Sequence, residues 1–75
     1  MLSAAEAIEI SEDIVTMVDE DVPEKAWDKA AEFFENARRM AVEIGESITQ
    51  SGNVTAKQAQ ALQNIKSGVA KWIRD

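Results

Sequence analysis

Between Trp27 and Ile48 the apolar residues fall three and four apart with no polar interruption: Trp27, Ala30, Phe34, Ala37, Ala41, Ile44 and Ile48. Positions spaced this way share one side of an α-helix, which turns once every 3.6 residues or so. Phe33 and Met40, seven apart, widen the stripe. The spacing predicts a helix over 23–51. Pro23 opens it, because a missing N–H costs nothing in a first turn, and Gly52 closes it as the left-handed residue beyond the last turn. Asp21 or Val22 is the cap, and Asp21 with Glu24 fits the capping-box spacing better. Glu35 stands four before Arg39, a favourable pair on the outer surface. Such a helix would be about 42 Å long, more than a small domain ordinarily spans with one element.

Two further segments carry helical spacing. Ser3 and Glu6 form a candidate capping box at the start of a helix over 4–18. Its stripe is Ala7, Ile10, Ile14 and Met17, widened by Ile8, Val15 and Val18. Ser11-Glu12-Asp13 reads as an internal N-cap that lets the first turns fray. Asp19-Glu20-Asp21 stacks negative charge on the negative end of the helix dipole, which should stop it there. Thr55 with Gln58 caps a third helix over 56–73, and Val54 can staple onto Ala59. Leu62, Ile65, Val69 and Trp72 form its face, with Ala59 and Ile73 alongside. Gly68 inside it costs about 1 kcal/mol relative to alanine, which a close helix–helix approach or a solvated face would accommodate.

No strand pattern competes, and the connections are short, so the fold expected is all-α: a small three-helix antiparallel bundle with a long central helix. It forms one domain over 1–75. Helix 1 is expected along the first half of helix 2 and helix 3 along the second, with Trp72 returning towards Phe33 and Phe34. On size scaling the folded chain would expose roughly 4,600 Å² against about 12,000 Å² unfolded. That is enough for one core and not for a core plus a deep cleft.

Composition narrows the chemistry. The chain of 75 residues has 14 acids, 8 bases and no histidine, cysteine or tyrosine. Disulfides, thiolate or imidazole metal sites and triads built on His or Cys are excluded. The serines have no histidine partner, and neither Gly45 nor Gly52 leads into the Lys-Ser or Lys-Thr of a phosphate loop. Asp19, Glu20, Asp21 and Glu24 could attract a divalent cation loosely. In an EF-hand order, however, Pro23 and Glu24 stand where an oxygen ligand and the turn glycine belong. The expectation is a non-enzyme without cofactor or metal. The N-terminus lacks a positive n-region and long apolar core, and no run approaches the roughly 20 residues of a membrane span. A cytoplasmic protein is expected.

Charge is uneven. Residues 1–46 hold 13 acids and 4 bases, net −9, whereas 47–74 hold Lys57, Lys66, Lys71 and Arg74 and no acid. One reading is a solvated acidic face with a modestly basic third helix. The sharper reading is a protein partner met through Asp19, Glu20, Asp21 and a half-exposed Trp27, although Trp27 also suits closing the end of the core. An alternative is weak single-stranded nucleic-acid binding through Lys57, Lys66, Lys71 and Arg74. A third is an acidic mimic of DNA. Small alanines along helix 2 suit close packing within one chain, so a monomer is expected.

Val22-Pro23-Glu24, Phe33-Phe34-Glu35, and Gly52-Asn53-Val54-Thr55-Ala56-Lys57-Gln58-Ala59 leading through Ala61-Leu62-Gln63-Asn64-Ile65 to Gly68-Val69-Ala70-Lys71-Trp72 resemble small helical proteins of tailed bacteriophages. The family suggested is the small protein associated with the recombination helicase UvsW of T-even-like phages. The resemblance covers roughly residues 22–73 and consists mostly of caps and core. It implies a cytoplasmic accessory factor in phage recombination or repair that touches the helicase or single-stranded DNA, and it supplies no catalytic residues. The net negative charge argues against direct DNA contact.

Overall fold

A computed structural model describes residues 2–74. Helix α1 spans Ala4–Thr16 and runs into a π-helical turn, Met17–Asp21; α2 spans Glu24–Ser51 and α3 spans Ala56–Arg74. The result is an all-α bundle of three mutually packed helices.

Local signals set most helix ends. At α1 the Ser3 hydroxyl accepts from the Glu6 N–H at 3.1 Å, and the Ser3 N–H donates to the Glu6 carboxylate at 2.9 Å. Thr55 and Gln58 make the same reciprocal pair at α3, both at 3.0 Å. Gly52 ends α2 at φ 76°, and its N–H donates to the Ile48 carbonyl. Each cap satisfies backbone groups that a helix end leaves open.

Elsewhere tertiary packing overrides the local reading. The first helix does end at the Asp19-Glu20-Asp21 run, but only after taking it into a widened turn, with the Val22 N–H donating to the Met17 carbonyl five residues back. Val18 is buried in this turn, and Arg38 meets the Asp19 charge, which offsets the unfavourable dipole. Asp21 therefore lies inside a helical turn and caps nothing; Pro23 occupies the N-cap of α2 without a side-chain bond. Ser11 is not an internal cap either. It is buried mid-helix, and its hydroxyl donates to the Ile8 carbonyl at 2.6 Å. Among the described residues Arg39 bonds Asn36 rather than Glu35.

The long helix is not straight. Ala30 has φ −146° and ψ 39°, which divides α2 into pieces at 24–29 and 31–51. Alanine is the best helix former and no proline or glycine lies nearby, so packing imposes the break. A straight rod would reach about 42 Å, whereas the molecule's longest extent is 37 Å. The first piece folds against the end of α3, where Pro23, Lys25, Ala26 and Lys29 border a hollow beside Trp72.

The break also changes the register. Ser11 lies against Gly45, and Asp19 against Arg38, so α1 runs antiparallel along the second half of α2 rather than the first. Helix α3 runs along both halves of α2 and not along the second alone, with Gln58 reaching Ser47 at one end and Trp72 packing on Phe34 and beside Pro23 and Lys29 at the other. Phe34 is fully buried at the centre of an aromatic cluster. Its ring lies 5.2 Å from Trp27, 5.3 Å from Phe33 and 5.8 Å from Trp72. Ile14, Val18, Ile48, Leu62 and Val69 complete the core. Gly68 sits where an added Cβ would meet the Phe33 ring at 3.2 Å, so the close approach of α2 and α3 accounts for it.

Candidate functional site

Helices α1 and α2 meet more closely than ordinary side chains permit. A Cβ built at Gly45 would lie 2.6 Å from the Ser11 Oγ and 3.2 Å from its Cβ. The small pair draws the helices together and leaves the outer side of their seam as an open groove of about 580 Å³. Ser11 and Gly45 form its floor, Ile8, Val15 and Val42 its apolar walls, and Glu12 and Glu46 two acidic edges.

The groove is chemically quiet at its floor. The Ser11 hydroxyl is donated to Ile8, and the Thr49 hydroxyl to the Gly45 carbonyl at 2.8 Å, so neither hydrogen is free for a ligand. Ile8, Val15 and Val42 are half-buried, each offering part of its surface to the outside. No basic residue lines the groove. Among the described residues the ion pairs are Arg38–Asp19 and Lys66–Asp13, and neither Glu12 nor Glu46 has a cationic partner there. A surface with apolar walls, a satisfied floor and unpaired edge charges suits docking of another chain.

The residues singled out from sequence are dispersed. Trp27 is half-buried against Phe34 and helps close the aromatic end of the core. Asp19, Glu20 and Asp21 are exposed on the π-helical turn. Asp19 is engaged by Arg38, whose Nε donates at 2.9 Å and Nη2 at 3.2 Å. That two-point bond raises the Arg38 pKa further above its ordinary value. The cations of α3 do not form one patch. Lys57 and Arg74 stand about 25 Å apart along the helix, and Lys66 is turned to Asp13 at 3.4 Å. Phe33 and Met40 are the large apolar side chains left exposed, each at 41%.

Sequence reasoning did not find the groove, because its walls come from two helices whose expected register, helix 1 along the first half of helix 2, is not the one adopted. The available signal was Gly45 within an otherwise strong helical run, which marks a close neighbour as readily as a missing phosphate loop. Compared with protein-family models, curated proteins and solved structures, the chain matches none. The resemblance to the helicase-associated phage family therefore rests on the quoted residues alone. No helix among the described residues is long and apolar enough to cross a membrane.

Proposed function

We propose that this protein is a non-catalytic, cytoplasmic helical interaction module that works by binding another protein through the groove between α1 and α2. The observation that supports this most directly is the groove itself: apolar walls half-exposed in a concave seam, with two edge carboxylates that have no ion-pair partner among the described residues. Two of the other candidate features are engaged in packing, since Trp27 closes the core and Asp19 holds Arg38, whereas Glu20 and Asp21 stay exposed on the turn. A DNA-processing enzyme, a recombination helicase first, is the partner that the shared residue pattern puts forward. Direct nucleic-acid binding is the weaker reading, given the scattered cations of α3.

The test is affinity capture of the tagged protein from its host at low and moderate salt, alongside a Val15→Asn/Val42→Asn variant. The wild type should retain one stoichiometric partner, and the variant, with helicity and melting checked, should lose at least about tenfold of it, as expected when apolar contacts at the centre of an interface are replaced. No retained partner at either salt, or equal retention by both proteins, refutes the reading.

A further inference from the structure

Resting on the docking role proposed above, we infer that the groove's occupant is a short basic amphipathic helix of a partner protein. One or two large apolar side chains sit over Ser11 and Gly45, and lysine or arginine on both flanks meets Glu12 and Glu46. The dimensions set the first half of this statement. The lining runs from Ile8 to Thr16 on α1 and from Val42 to Gln50 on α2, which is about 12 Å of helix, or little more than two turns. Ser11 and Gly45 pack directly on each other and close the floor, so the surface left for an incoming apolar side chain is that of the half-buried Ile8, Val15 and Val42 above them. An amphipathic helix lays large residues at i, i+3 or i+4 and i+7 along such a trough.

Charge sets the second half. Both edges end in carboxylates that have no cationic partner among the described residues, and the lining holds no cation to oppose a basic ligand. Flanking bases would gain two ion pairs and would approach a surface whose first 46 residues carry net −9. An acidic helix or a polyanion meets repulsion at both edges.

A second copy of this chain does not fit the description. The apolar stripe of α3, the basic helix, is spent inside its own bundle, with Leu62 and Val69 fully buried. The exposed apolar pair, Phe33 and Met40, belongs to α2, whose surface between them carries Glu35 with Arg38 and Arg39, Arg38 being held by Asp19 and Arg39 by Asn36, and Glu43 and Glu46 follow beyond. Neither helix offers a free apolar face flanked by bases alone, since the bases beside Phe33 and Met40 are interleaved with Glu32, Glu35 and Glu43.

The test uses a display library of helix-forming 16-residue peptides with randomised faces and flanks, selected against the full chain and against Glu12→Lys/Glu46→Lys. Both substitutions are at exposed positions, and circular dichroism verifies that the fold is retained. Wild type should enrich peptides with large apolar residues at helical spacing flanked by Lys or Arg, while the reversed variant should enrich acidic flanks. The best wild-type peptides should lose at least about tenfold in affinity on the variant at about 50 mM salt, and less at about 500 mM. Amide shifts should centre on Ile8, Val15, Val42 and Thr49. Groove-bound peptides without charge bias, or equally bound by both proteins, overturn the basic-helix assignment and leave the docking role standing. No enrichment, or shifts centred away from the groove, overturns both.

Discussion

Two glycines with opposite surroundings show how single positions are decided here. Adding a methyl group at Gly45 drives it into the buried Ser11, whose hydroxyl is committed to Ile8 and whose Cβ leaves no room behind it. Gly45→Ala should therefore destabilise by about 1–3 kcal/mol despite alanine's better helix propensity, as overpacking does. Removing the Ser11 hydroxyl in Ser11→Ala/Gly45→Ala should recover part of that loss, read by urea unfolding of both variants. Gly68 faces Phe33 instead, and that ring is exposed enough to swing outward. Gly68→Ala should leave a net gain of roughly 0.5 kcal/mol, from a propensity gain near 1 kcal/mol partly offset by moving the ring. Glu6 supplies a pH prediction. The Ser3 backbone N–H, and then the Ser3 side chain, bond its carboxylate and hold its pKa below the ordinary 4.5. A depressed folded value means that the contribution is present above the unfolded pKa and fades as pH falls through the folded one. A carboxyl-resolved NMR titration should place the Glu6 midpoint below those of unbonded glutamates, and Glu6→Gln should flatten the stability profile in that acidic range.

At the scale of elements, what the sequence made legible was local chemistry. The Ser3–Glu6 and Thr55–Gln58 boxes and the Gly52 stop lie within a few residues of the ends they set, so composition and spacing identify them. The break at Ala30 and the wide turn at Met17–Asp21 were not legible, because both are set by tertiary contacts: the aromatic cluster beside the break, and for the turn the burial of its own Val18 and the distant Arg38 that holds Asp19. An unbroken 3-4 stripe cannot show that the chain bends where its stripe is perfect. The register error followed from that bend, and the groove was missed with it. Phe34 joins the two pieces of α2 to α3 through three ring contacts. Phe34→Ala should cost about 3–5 kcal/mol, close to the whole stability of a domain this small, and thermal melts should show a broad, low transition.

For the whole molecule, the exposed surface is 4981 Å², slightly above the roughly 4,600 Å² of a compact chain of this mass. The excess fits an elongated shape of 37 × 19 × 18 Å with an open seam along one side. The proposed function makes one central claim at this scale: one chain forms the whole bundle, and the open seam between α1 and α2 is proposed to receive a different protein. The acidic edges of the groove and the acidic surface of α2 disfavour self-pairing across it. Sedimentation equilibrium over a hundredfold range around micromolar concentration tests this most directly. The account predicts a constant mass of 8.3 kDa throughout; a constant mass of twice that would mean that a second copy, and not a partner, covers the exposed face.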